Sequence, residues 1–130
     1  MSLLIGIEYC KLDSNGRFKL PIAIKKQLEG EDCRFAIRPS IYAECLELWT
    51  YASFEAEIAH LQKELNPYSI EDRKMLRILS AGNIVEMDTS DRLVIPGEQR
   101  QRIKTSKDLV LVSTGRYMEI WDHDNYSRAN

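Results

Sequence analysis

Residues 12–28 read LDSNGRFKLPIAIKKQL, and residues 87–103 read MDTSDRLVIPGEQRQRI. Laid over one another they need no insertion: Asp13 falls on Asp88, Ser14 on Thr89, Arg17 on Arg92, Leu20 on Ile95, Pro21 on Pro96 and Leu28 on Ile103. The likeness resumes downstream, with Phe35-Ala36-Ile37 matched to Val110-Leu111-Val112 and Leu46-Glu47-Leu48-Trp49 to Met118-Glu119-Ile120-Trp121. An aromatic follows each tryptophan at the same distance, Phe54 and Tyr126. Trp, Pro, Asp and Arg recurring in one order mark a duplicated unit.

Each unit has one coarse shape. A short strand ends at the Asp, a polar turn follows, and a second strand (Phe18–Leu20, Leu93–Ile95) runs into a proline. Proline lacks an N–H and suits the first helical turn, so short helices are expected over Ile22–Leu28 and Gly97–Ile103. Arg34–Arg38 and Leu46–Trp49 then alternate apolar and polar residues, the pattern of half-buried strands, and Leu109–Val112 and Tyr117–Trp121 repeat it. Between the units, Phe54, Ile58, Leu61 and Leu65 share one helical face. Asn66-Pro67 breaks that helix, and Ser69-Ile70-Glu71-Asp72 has the form of a capping box opening a second one that ends near Gly82. The expected organisation is one unit over 1–52, a bridging helical hairpin over 53–82 and a second unit over 83–130. A unit of about 45 residues is too small for its own core. The units must therefore bury their apolar strand faces against each other, which predicts an α+β, mainly β body: a pseudo-two-fold barrel or sandwich.

The 130 residues carry 18 Lys+Arg against 20 Asp+Glu, a net charge of −2, so no overall positive coat argues for a nucleic-acid partner. Resolved along the chain, the charges separate. Arg17, Lys19, Lys25 and Lys26 lie in a stretch without acids, and Arg92, Arg100, Arg102, Lys104 and Lys107 surround the second turn. Glu44, Glu47, Glu55, Glu57, Glu64, Glu71 and Asp72 fall mostly in the bridge. Two basic turns on a two-fold body make a grip for phosphates and base edges. An Asp opening a turn accepts N–H bonds from the residues just ahead, so Asp13 and Asp88 are expected to shape loops from which Arg17 and Arg92 point outward. A plain Asp–Arg pair pinning each turn is the purely structural alternative.

The pattern D-x-x-x-R followed by apolar-x-apolar-Pro, twice, around a helical hairpin resembles the MraZ family of bacterial regulators, in the AbrB-like swapped-hairpin group. The likeness covers nearly the whole chain: Gly6, Asp13 to Arg17, Pro21, Leu79-Ser80-Ala81-Gly82, Asp88 to Arg92, Pro96 and Met118-Glu119-Ile120-Trp121. It implies a cytoplasmic, nucleoid-associated transcription regulator that assembles into a ring of subunits. The implied partner is double-stranded DNA, read as short direct repeats in the promoter of the division and cell-wall gene cluster. By the same likeness Arg17, Arg92, Asn15, Lys19 and Ser90 contact DNA and Asp13 and Asp88 organise the loops. Two positions depart from the family pattern: Asn15 stands where a Lys is usual, and Asp91 where a Gly is usual. Aspartate tolerates left-handed turn geometry, but it places a negative charge beside Arg92 and lowers the second loop's attraction for phosphate. The competing expectation is an oligomeric assembly module that contacts proteins instead of DNA.

Other chemistries fail on their residues. Paired Asp-Ser and Asp-Thr turns on a duplicated β body have the look of an aspartic-protease dyad. The glycine two residues after each Asp is missing, however, and the neighbouring arginines favour ionised carboxylates. An EF-hand beginning at Asp13 needs Gly and Glu where Phe18 and Ile24 stand. His60 and His123 are isolated, His60 reading as a polar-face residue of its helix. Cys10, Cys33 and Cys45 have no C-x-x-C spacing and read as small buried hydrophobes in a reducing compartment. Trp49 and Trp121 read as core anchors rather than base-stacking platforms. Asn125-Tyr126-Ser127 matches a glycosylation triplet that a cytosolic chain never presents to that machinery. Leu3-Leu4-Ile5 is too short for a signal peptide. No enzyme, cofactor, metal, small-molecule substrate or membrane partner is expected.

Overall fold

A computed structural model of the chain describes residues 4–105 and 107–129; Leu3 and the outermost ends of the two expected units lie outside the described residues. The elements run β1 (Ile7–Lys11), β2 (Arg17–Lys19), α1 (Ile22–Gln27), β3 (Arg34–Pro39), β4 (Leu46–Thr50), α2 (Tyr51–Glu64), α3 (Ile70–Ser80), β5 (Asn83–Glu86), β6 (Arg92–Val94), α4 (Gly97–Arg102), β7 (Asp108–Ser113), β8 (Met118–Asp122) and α5 (His123–Ala129). Six strands form one antiparallel sheet in the order β1-β7-β8-β4-β3-β5, and β2 and β6 form a separate ribbon. Exchanging β1 with β5, β3 with β7 and β4 with β8 returns the same order reversed, so the sheet has pseudo-two-fold symmetry. Its axis passes between β4 and β8, where Glu47 lies opposite Glu119.

Each unit gives its first strand away. β1 pairs with β7, and β5 with β3. In the ribbon Phe18 lies opposite Leu93, flanked by the pairs Arg17–Val94 and Lys19–Arg92. Phe18, Leu20 and Ile24 from one unit and Leu93, Ile95 and Ile103 from the other share a single core with Phe35, Ile37, Leu109 and Leu111. Each such side chain contributes about 1.5–3 kcal/mol on burial, and the one core draws its members from both units, so neither half keeps that core alone. The class is the α+β one expected. The strands make two sheets around one core, with β1 and β5 as open edges, and not one continuous barrel.

As expected, the short helices begin just after the prolines, with Pro21 and Pro96 capping α1 and α4 in extended geometry (ψ 143° in both). Two local expectations are corrected. The downstream alignment slips by one. Phe35 and Ile37 correspond to Leu109 and Leu111 in the main core, while Ala36 and Val110 belong to the two outer clusters around Trp49 and Trp121. The connection from α4 to β7 is one residue shorter than that from α1 to β3, and a one-residue slip sends every strand side chain to the opposite face. Finally, β4 is buried along its whole length and β3 at four of six positions, so neither is half-exposed.

The burial of that second face has a specific cause. Arg38 and Glu47, the polar positions of the alternation, are 4% and 2% exposed. Arg38 donates from Nε to Glu47 Oε1 (2.7 Å), from Nη2 to Glu57 Oε2 on α2 (2.8 Å) and from Nη1 to the Leu79 carbonyl on α3 (2.6 Å). Trp49 Nε1 adds a bond to the same Glu47 oxygen at 3.0 Å. One guanidinium thus ties the helical hairpin to the sheet. At the matching place in β7 stands Val112, against the Trp121 cluster.

The helices end as the residues dictate. Thr50 accepts from Ser53 N (3.2 Å) to open α2, and Asp122 accepts from Asn125 N (3.2 Å) to open α5. Phe54 and Tyr126 then meet Trp49 and Trp121 edge-on, at centroid distances of 6.0 and 5.6 Å. Ser69 caps α3 through Asp72 N (3.2 Å), but the Asp72 carboxylate returns to Asn66 N (2.8 Å). Both tryptophans are buried, and His60 is exposed on α2. No helix among the described residues is long and apolar enough to cross a membrane.

Candidate nucleic-acid interface

Asp13 and Asp88 build their turns by the same set of bonds. Asp13 Oδ1 accepts from the backbone N–H groups of Asn15 (2.8 Å) and Arg17 (2.9 Å), and Asp88 Oδ1 from those of Ser90 (2.8 Å) and Arg92 (2.9 Å). The main chain closes behind them, Asp13 N to the Arg17 carbonyl (2.7 Å) and Asp88 N to the Arg92 carbonyl (3.0 Å). The Arg17 N–H first, then that of Asn15 and the charges of Arg92 and Arg17, hold the Asp13 carboxyl below the usual aspartate range. For Asp88 the Arg92 N–H leads, followed by Ser90 and the Arg92 charge. Both turns need a left-handed residue before the arginine, and Gly16 (φ 77°) and Asp91 (φ 62°) supply it.

The units interlock at this point. Leu20 N donates to the Asp91 carbonyl and Ile95 N to that of Gly16, each at 2.9 Å. Alternation along the ribbon buries Phe18 and Leu93 and turns Arg17, Lys19, Arg92 and Val94 to the other face. Asn15 and Ser90 are exposed at the turn tips, and Lys19 is exposed at the end of β2. All five residues expected at a DNA contact therefore lie on one ribbon and its two turns.

The two arginines are not in the same state. Arg92 Nε contacts Asp88 Oδ2 at 3.1 Å and its Nη1 lies 3.6 Å from Asp13 Oδ2, so it bridges the two turns. Among the described residues, the Arg17 guanidinium makes no hydrogen bond or ion pair. Asp91 is engaged by Lys25 Nζ of α1 at 2.7 Å, across the unit boundary. That pair accounts for the aspartate's charge, which the sequence leaves beside Arg92 without a partner. Lys25 was legible only as one charge of a basic run.

An arginine bridging Asp13 and Asp88 keeps both carboxylates ionised, the reverse of a proton-sharing dyad. Among the described residues no three or more His, Cys, Asp or Glu side chains are grouped to hold a metal. Burial pushes the thiols of Cys10 and Cys45 up to about 12, which removes their nucleophilicity. Cys33 departs from the expected buried set: it is exposed, with Sγ 3.4 Å from Glu86 Oε1, because it sits in the loop just before β3.

Residues 78–129 match the family model described as "MraZ protein, putative antitoxin-like". The chain is 34% identical to the transcriptional regulator MraZ of Flavobacterium psychrophilum, over 99% of this chain and 83% of that protein. It is also 34% identical to its namesake in Christiangramia forsetii, over 97% and 82%. The likeness to the Legionella pneumophila protein of the same name is 30%, over 92% and 79%.

Proposed function

The chain belongs to the MraZ family, and from that premise we propose that it regulates transcription by binding DNA in a sequence-specific way. The observation that carries the reading is the ribbon. Two turns ordered by their own aspartates place Arg17, Lys19, Asn15, Arg92 and Ser90 on one exposed surface. Pre-ordered arginines suit phosphates and guanine edges, because a planar guanidinium donates in pairs and a fixed loop loses little entropy on binding. Arg17 is the leading contact, since its head group is unengaged; Arg92 contributes from a position already tied to two carboxylates. Residues 1–52 and 83–130 act as the two units and 53–82 as their bridge.

The target is a set of short direct repeats in the promoter of the division and cell-wall gene cluster, and the working form is a ring of subunits in the bacterial cytoplasm, associated with the nucleoid. Several ribbons in one particle would give avidity to weak single contacts. The test is a shift assay against the gene's own upstream region at two salt concentrations, with light scattering for mass. Binding that weakens steeply with salt, and weakens further in Arg17→Ala at unchanged mass, supports the reading. A salt-indifferent complex, or an Arg17→Ala/Arg92→Ala double variant that binds as before, would favour an assembly module whose partners are proteins.

A further inference from the structure

Lys25 and Arg100 hold matching positions in α1 and α4, as Asp91 and Gly16 do in the two turns. The matching pairs lie across the unit boundary and differ in one respect. Lys25 Nζ is held at 2.7 Å by the Asp91 carboxylate. Arg100 lies against Gly16: its guanidinium carbon is 2.6 Å from where a Cβ on residue 16 would stand, and Nε is 3.1 Å from the same point. A glycine at 16 therefore does two things. It adopts φ 77°, and it leaves the space that the Arg100 head group fills. It offers that head group no acid. Among the described residues the Arg100 guanidinium makes no hydrogen bond or ion pair, and its Nε is buried without a partner.

We infer that Arg100 is a phosphate-contacting residue of the first turn, and that residues 16 and 91 decide whether each turn's cross-unit cation is free for DNA. The inference rests on the DNA-binding reading above and adds an asymmetry to it. The first turn is open, with Arg17 and Arg100 both lacking an acid partner among the described residues. The second is closed, because Asp91 occupies Lys25 and Asp88 occupies Arg92. The ligand chemistry is the DNA phosphodiester: a guanidinium whose Nη groups reach one phosphate oxygen pair completes donors that the protein leaves unmet.

The experiment is a fluorescence titration of a labelled duplex from the gene's own upstream region, from low to moderate salt. It compares the native protein with Arg17→Ala, Arg100→Gln, Asp91→Gly, Gly16→Asp and Asp91→Gly/Lys25→Gln, with thermal melts and light scattering confirming fold and mass. One phosphate contact changes the slope of log K against log salt by about 0.9 and affinity by roughly eightfold at 0.1 M salt, for each turn engaged. Arg100→Gln is expected to lose that much, and Asp91→Gly to gain about as much. Gly16→Asp should bind like Arg100→Gln, because the new carboxylate captures Arg100 as Asp91 captures Lys25. In Asp91→Gly/Lys25→Gln the gain should disappear, which assigns it to the released lysine and not to an eased backbone. If Gly16→Asp folds poorly, the remaining variants decide the question. Native affinity and slope in Arg100→Gln, or a gain in Asp91→Gly that survives loss of Lys25, would overturn the inference. No DNA binding at all, or none lost in Arg17→Ala, would instead overturn the reading beneath it.

Discussion

Gly16 and Asp91 stand at the same place in two turns of the same backbone, at φ 77° and 62°, each donating from N to the aspartate carbonyl that opens the turn. Around them the charges differ: Asp91 holds Lys25 and Asp88 holds Arg92, whereas among the described residues the Arg17 head group makes no ion pair. A second difference separates the halves on the far side of the sheet, where Arg38 knits the hairpin to β4 and Val112 only packs. Duplication has kept the backbone bonds and the core, which every copy needs to fold. The charged side chains, each answerable only to its local partners, have diverged.

The largest expected effect tests the far side. Arg38→Ala leaves Glu47 buried without its cation and Glu57 with Arg116 alone, and should cost about 3–5 kcal/mol, read as a shift in the midpoint of chemical unfolding. Val112→Ala at the matching position should cost about 1 kcal/mol, being a half-buried apolar truncation. Equal costs would mean that the two outer faces are held in the same way.

Next comes the difference in backbone demand. Gly16→Ala places a β-carbon at positive φ, at about 1–2 kcal/mol, and also displaces Arg100. Asp91→Gly keeps a residue suited to that geometry and should leave the melting temperature nearly unchanged. A stable Gly16→Ala would show that the first turn relaxes out of the left-handed region.

The smallest effect is expected in acid, where the two turns should behave alike. Both Asp13 and Asp88 have folded pKa values below the ordinary 3.8. A depressed carboxyl contributes stability that is complete above its unfolded value and is lost as pH falls through the folded one. Melting temperature should therefore be insensitive to these two groups above about pH 4 and should drop below it. The drop should be shallower in Asp88→Asn and in Asp13→Asn. A loss beginning near neutrality would point to other groups.

Much of this could be seen in the sequence, and what could not has physical causes. The gapless match of 12–28 to 87–103 aligned Phe18 with Leu93, its partner in the ribbon, and set both prolines beside their helices and both aspartates at their turns, because those signals are local. The slip at Phe35 escaped it. Phe35-Ala36-Ile37 and Leu109-Val110-Leu111-Val112 are apolar throughout, so neighbouring registers score alike there, and only the loop length decides between them. Arg38 and Glu47 looked solvent-facing because alternation records polarity and not what lies above it. The short helix α5 was missed, although Asp122 matches the Thr50 cap and Tyr126 matches Phe54. The Lys25–Asp91 and Arg100–Gly16 contacts join residues far apart in the chain, and no spacing rule reaches them.

The difference between the turns is tested most directly by the salt dependence of DNA binding in Arg17→Ala and Arg92→Ala, measured side by side on the same duplex. Arg17→Ala should weaken binding roughly eightfold at 0.1 M salt and flatten the slope by about 0.9 for each turn engaged. Arg92→Ala, already bridged between Asp13 and Asp88, should keep most of the native slope. Equal flattening in the two variants, or the larger loss in Arg92→Ala, would contradict an open first turn and a closed second one.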